Sequence, residues 1–436
     1  MRPLGAYIIW TILAVAAVAV VRARHRQPAR WQRLAIGVVA VASVTAFALV
    51  SWGRATPFGD FNKAYLFAGS VIAQDPSRLY ACDVSNLCFV NLPLVAALFV
   101  PLAWMGTPAS QIVFSVVGAA AVAAAVWLVV REFELTGAAR YAAVAVFTLN
   151  GPLLYSVRLG NLTHVILPLV IAAFSLLTRR REIAAGVLFA VLALVKLPFA
   201  LFLAYLLAKR HVHAAAAAAG ALAACGAVSI ALFGLELHQQ WLEQLVGPFA
   251  ARSVGAYNVQ SISGLLAHLL LPGHLTDWEP LAAPAWFTVL RYAIGAGVIA
   301  VAAIAVSVRS RLPWREHIEL SVVLLVMLLV SPLTWSHYYA FLTIPIAAVL
   351  GRIVTSGAPA TVNGLLLVAT ALVSMPVVLP RLPHPLAAEL VERVFISHYA
   401  VGGILLYGGV CVASVFSASP SSARALFRRP RIPVPE

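Results

Sequence analysis

Twelve long apolar runs, parted by short polar or basic segments, divide this chain: 4–21, 34–52, 110–130, 139–156, 161–178, 183–208, 213–234, 286–308, 317–333, 339–351, 361–379 and 400–417. A membrane-spanning helix needs about 20 apolar residues. Lipid admits only helices or closed barrels, because no water is present to satisfy exposed backbone groups. Run 183–208 lies between two basic clusters and contains Lys196-Leu197-Pro198, where the proline breaks the helix. It is predicted as a hairpin of two short helices. Segment 91–105 opens with Asn91-Leu92-Pro93 and is broken again by Pro101, which predicts a short re-entrant or juxtamembrane helix. Run 4–21 is long for a signal peptide and is followed by VVRARHR in place of a cleavage site, so it is expected to remain as a span.

Composition agrees with this reading. Of the 436 residues 62% are hydrophobic and only 10% charged, and the mean hydropathy is +0.94. The expected fold is an all-α polytopic membrane domain over 1–423 with about 12–13 transmembrane helices.

The net charge of +15 suggests a nucleic-acid partner until the basic residues are placed. Segments 22–33, 131–140, 179–181, 209–210, 309–315, 352 and 424–431 hold 20 of the 30 lysines and arginines, mostly at span ends. That is the positive-inside pattern, and it excludes the nucleic-acid reading. Residues 424–436 are then a basic cytoplasmic tail. Segments 53–109, 157–160, 235–285, 334–338 and 381–399 fall on the extracytoplasmic side. Within 235–285, HQQWLEQL reads as a surface-lying helix, and AYNVQSISGLLAHLL is too short and polar-headed to span. His211 and His213 flank Arg210 and are expected to be solvated. Cys225 and Cys411 fall in apolar runs, whereas Cys82 and Cys88 share a loop that would permit a disulfide.

On this topology the unusual polar residues converge on one face. Asp60 is the first carboxylate of the chain, just past a span. Phe61, Ala64, Tyr65, Ala68, Val71 and Ile72 follow it at helical spacing, so it opens an amphipathic helix. One reading makes Asp60 a helix cap; the other makes it a base. On the same face stand Lys63, Arg158, Asn161, His164, Lys196, Asn258, Gln260, Ser261 and the Trp335-Ser336-His337-Tyr338 run. An ionisable residue in an apolar run, such as Lys196, marks function by default. Cations and amides around a single carboxylate suit an anionic head group beside a hydroxyl-bearing substrate. Arg158 and Lys196 suit a phosphate, and Asp60 suits proton removal from an attacking hydroxyl. Clustered carboxylates are absent, so no metal and no cofactor is expected. Asp75-Pro76 reads as a turn, and Asp83 sits between the loop cysteines. Phosphate-loop, dinucleotide, GxSxG and zinc-ligand motifs are all lacking.

The stretches GDFNKAYLFAGSVIAQDPSRLY, GPLLYSVRLGNLTHVILPLVIAAF, RREIAAGVLFAVLALVKLPFALFLAYLL, YNVQSISGLLAHLL and SPLTWSHYYAFLTIP run in order over about 53–350. Together they resemble glycosyltransferase family 87, the GT-C-type polyprenyl-phosphomannose-dependent alpha-mannosyltransferases. The resemblance implies a GT-C fold and transfer of mannose, with inversion, from a polyprenyl-phosphate carrier to a lipid-linked glycan on the outer face of the cell membrane. It implies Asp60 as catalytic base and puts His337 at the family's Trp-Ser-His position. With Arg158 and Lys196 on the donor phosphate, the expected substrate contacts are Lys63, Tyr65, Asn161, Asn258, Gln260, Ser261, Trp335 and Tyr338. Three positions depart from the family pattern: Asn161 follows Gly160 where glutamine is common, Tyr338 replaces a second histidine, and Val259 separates Asn258 from Gln260. A GT-C enzyme using carrier-linked arabinose or glucose, and a lipid transporter or flippase, are the rival readings.

Overall fold

The computed structural model describes residues 2–22, 57–81, 89–271, 273–307, 314–352, 360–376 and 385–416, with isolated positions between 34 and 42. Most of the 34–52 span, Cys82, Cys88, Asp83, the cluster at 309–311 and the basic tail lie outside the described residues. Within them the chain is helical, with isolated β-bridges at Val254–Pro280 and Val259–Trp335. It is an all-α, polytopic membrane protein.

Among the described residues, four helical runs are long and apolar enough to cross a bilayer: Thr107–Glu132, Val212–Phe233, Ala285–Ser307 and Glu389–Val412. A fifth forms if Ala139–Thr148 and Gly151–Leu159, bent by 42°, count as one. Within the described residues this is fewer than the sequence predicts. Most of the other expected spans are apolar helices of 10–17 residues, among them Thr163–Thr178 and Glu182–Val195. The reason lies at their polar breaks. Asn150 caps a new helix by accepting the Leu153 N–H at 2.8 Å, and the chain leaves helical geometry at Lys196 and at Ser331.

The Arg315–Val330 helix is the central pillar. Every residue from Ile318 to Leu329 is buried, as expected of a helix that is apolar nearly all round. The hairpin predicted over 183–208 is present. Glu182–Val195 runs out, Lys196 is extended (φ −142°, ψ 99°), and a 3₁₀ turn Leu197–Ala200 leads into the returning helix Leu201–Ala208. Its closure is chemical, since His211 Nδ1 lies 2.8 Å from Glu182 Oε1 at the start of the outgoing helix. The outgoing helix Glu182–Val195 is 14 residues long, so the tip stands roughly 21 Å from the base. Segment 91–105 forms two short helices, Pro93–Ala97 and Val100–Trp104.

Basic clusters from three segments meet at the base of this hairpin, each held by a carboxylate. Glu132 accepts from Arg179 at 2.8 Å and faces His317 at 2.9 Å. Glu316 contacts Arg180 and His211. Glu319 is 2% exposed and binds Lys209, Arg315 and the Tyr205 hydroxyl. His211, expected to be solvated, is buried between Glu182 and Glu316; two carboxylates on neighbouring helices draw it inward. His213 is exposed. Cys411 is buried and Cys225 partly so, both free.

Removing one partner of a fully buried ion pair costs roughly 3–5 kcal/mol. Lys209 and Arg315 keep 22% and 26% of their side chains exposed, so Glu319→Gln is expected to cost less, about 2–3 kcal/mol. Thermal unfolding in detergent checks this: the midpoint falls for Glu319→Gln and stays put for Glu389→Gln, whose carboxylate is 55% exposed.

Candidate active site

At the opposite end from these clusters, four segments bring their polar residues together. The chain enters at Phe58, in the left-handed region (φ 61°), whose N–H donates to the Arg158 carbonyl at 2.8 Å. The helix after Asp60 buries Phe61, Tyr65, Ala68, Val71 and Ile72, as its spacing predicts. Its first turn, Phe61–Leu66, is π-helical, a local widening frequent at functional sites. Asp60 itself has helical dihedrals and makes no side-chain cap bond, which removes the capping reading. Its Oδ2 instead accepts from Asn161 Nδ2 at 2.8 Å.

Asn161 is presented by a turn that only glycine can make. Gly160 ends the Gly151–Leu159 helix at φ 68°, and a Cβ there would stand 2.5 Å from the Phe61 Cβ. The Asn161 carbonyl oxygen accepts from the Thr163 N–H at 3.0 Å and its hydroxyl at 2.8 Å. Those bonds orient the amide so that its NH₂ faces Asp60 and, at 3.4 Å, the Tyr65 hydroxyl. The same oxygen accepts from Lys196 Nζ at 3.3 Å. One amide therefore bridges the carboxylate and the ammonium. Lys196 is 5% exposed, and its Nζ sits 3.9 Å above the Tyr338 ring.

His337 enters from the 3₁₀ segment Ser336–Leu342. The turn before it is tied to 258–260: Gln260 N–H donates to the Thr334 carbonyl and Ser336 N–H to that of Asn258, both at 2.7 Å. His337 is 4% exposed, and both ring nitrogens are buried without a hydrogen-bond partner among the described residues. Its ring lies 6.4 Å from Tyr155 and 5.0 Å from Tyr338. Two unmade hydrogen bonds in a buried imidazole are costly unless a ligand supplies them. Burial raises the Asp60 carboxyl above the ordinary carboxylate value, against the opposing pull of the Asn161 amide and Lys196. Beside Lys196 and Tyr338 opens a cavity of about 360 Å³, walled mostly by apolar side chains including Leu201, Phe249, Val326 and Val330.

The sequence profile of glycosyltransferase family 87 matches residues 89–332, more than half of the chain. The chain belongs to glycosyltransferase family 87. A curated relative, 25% identical over 309 residues, is the polyprenol-phosphate-mannose-dependent alpha-(1-2)-phosphatidylinositol mannoside mannosyltransferase of Mycobacterium tuberculosis (strain ATCC 25618 / H37Rv). That similarity covers 66% of this chain, which spans just under two thirds of the relative's length. The protein is thus a multi-pass membrane glycosyltransferase. Asp60 and His337 flank the family match and lie outside it, while Arg158, Asn161, Lys196 and Asn258 lie within it.

Not every expected contact reaches this family 87 site. Asp60, Tyr65, Asn161, Lys196 and Tyr338 are joined directly by the contacts above, and His337 packs against Tyr338. Arg158 is partly buried, with its carbonyl on Phe58, and Lys63 is exposed. Gln260 and Ser261, expected to touch substrate, are fully buried and occupied within the protein. Gln260 donates to the Tyr257 and Ile396 carbonyls, and Ser261 caps the Ile262–Leu270 helix. Trp335 is partly buried and bridges to Val259. Asn258 accepts the Trp278 indole N–H at 3.0 Å. Tyr155, Tyr257 and Trp278 escaped the sequence reading. Tyr155 was signalled only by its place three residues before Arg158. Asp75 is exposed and accepts from the Ser77 hydroxyl in its turn.

Proposed function

We propose that this family 87 enzyme transfers a mannosyl group from a polyprenyl-phosphate carrier to a hydroxyl of a lipid-linked glycan, on the extracytoplasmic face of the cell membrane. One observation carries the reading. A half-buried carboxylate and a buried ammonium share a single amide, and the ammonium lines a largely apolar groove. The groove suits a prenyl chain, and Lys196 at its polar end suits the phosphate. Arg158 and the unpartnered ring N–H of His337 supply further donors. The acceptor oxygen attacks the anomeric carbon as the bond from that carbon to the phosphate oxygen breaks. The leaving phosphate keeps the electron pair, and its charge is met by Lys196, Arg158 and His337. The acceptor's proton passes to Asp60. A single displacement inverts the centre, so a beta-linked donor yields an alpha-glycoside. Gln260 and Ser261 act by holding the Tyr257–Ile262 segment against the His337 turn.

The test supplies sealed right-side-out vesicles with polyprenyl-phosphate mannose, arabinose or glucose, each radiolabelled, and a membrane-impermeant acceptor outside. Labelled product from the mannose carrier is expected. Product from another carrier alone overturns the donor, and product only in inverted vesicles overturns the face. Movement of labelled lipid across the bilayer without product overturns the transferase reading in favour of transport.

A further inference from the structure

Trp278 has an unusual setting for an exposed tryptophan. Segment 274–281 folds back on 253–258 through the Tyr257 N–H on the Leu275 carbonyl at 2.9 Å, the Leu281 N–H on the Ser253 carbonyl at 2.7 Å and the Val254–Pro280 bridge. This sets Trp278 over Asn258, whose Oδ1 takes its indole N–H, and edge-on to Tyr257, with centroids 6.2 Å apart at 78°. The indole is 45% exposed. Its one polar group is turned inward and satisfied, so it offers an apolar face. A tryptophan that anchors a protein in a bilayer keeps its N–H for the head-group region. Trp104 and Trp286 are more exposed and make no such side-chain bond among the described residues.

The exposed ring lies at the outer end of a row of aromatic residues that starts at the reaction centre. Tyr257 is an electrostatic neighbour of Tyr155, whose ring centroid lies 6.4 Å from that of His337. The carbonyl of Asn258 holds the backbone of Ser336, next to His337. Aromatic side chains thus run from His337 outward to Trp278, with the carboxylates of Asp277 and Glu279 on either side in sequence. A pyranose presents flat C–H faces edged by hydroxyls. Rigid aromatic faces pack against such surfaces at low entropic cost, while carboxylates accept from the hydroxyls.

We propose that Trp278 and Tyr257 form the platform on which the terminal sugar ring of the acceptor stacks. Trp278 thereby selects a glycan over a bare lipid hydroxyl. This rests on the transferase reading above. Octyl alpha-mannoside is the probe, with equilibrium binding to the full-length enzyme measured without donor, so the platform is read whether or not transfer occurs. Trp278→Ala is expected to weaken binding about tenfold or more and to raise the acceptor KM without moving the donor KM. Trp278→Phe keeps a ring but loses the N–H, and is expected to stay within about threefold of the wild type. Undiminished binding by Trp278→Ala overturns the platform. So does an equal loss in both variants, which assigns Trp278 to holding Asn258, or a rise confined to the donor KM. Failure of the transferase reading appears instead as octyl mannoside bound normally and never glycosylated.

Discussion

Asp60→Asn is expected to lower transfer by about 10²–10⁴-fold, the usual worth of general-base catalysis, with the folded state and donor affinity retained. Asparagine keeps the shape of the side chain and can still accept from Asn161 Nδ2 through its own amide oxygen. What it lacks is a site for the acceptor's proton. Asp75→Asn is the control, because that carboxylate is exposed and, among the described residues, engaged in its own turn. The carboxyl of Asp60 is raised by burial, and only its ionised form can act as base. Transfer therefore rises with pH through a midpoint above the ordinary carboxylate value of about 3.9. Asn161→Leu withdraws a donor that favours the ionised form, so this limb moves to still higher pH. Near-normal transfer by Asp60→Asn, with loss in Asp75→Asn, would move the base along the loop.

Lys196→Met is expected to weaken the donor by about 2–5 kcal/mol, roughly 30-fold to several thousandfold in affinity, the cost of truncating a buried charge at its ionic partner. Methionine matches the length of the lysine stem, and its thioether packs well on an aromatic ring such as Tyr338, so the hairpin tip should keep its fold. The loss then reports charge rather than volume. Lys196→Arg restores the charge but brings a planar fork into a space shared with Asn161 and the Tyr338 ring. Partial recovery is expected from it. Unchanged apparent donor affinity and rate in Lys196→Met would remove this residue from the phosphate site.

Much of the architecture was legible along the chain because its causes are local. The break at Lys196-Leu197-Pro198 follows from a proline that cannot donate or continue the helix. The helix after Asp60 follows from its 3.6-residue spacing. Lys196 announced itself because an ammonium among apolar residues is costly without a purpose. What the sequence could not carry was pairing across distance. Asn161 lies 101 residues from Asp60 and 35 from Lys196. Its role as the amide between them depends on a left-handed glycine and on Thr163 turning the amide, neither of which has a periodic signature. His211 looked solvated beside Arg210, yet Glu182 and Glu316 bury it. Trp278 reads as a loop residue until the loop folds back onto Asn258. Hydrophobic pattern and proline placement set which segments are helical and where they stop, since each acts on its own turn of backbone. Which carboxylate meets which cation was decided only when the helices packed, because those bonds form between side chains that local backbone preference does not join.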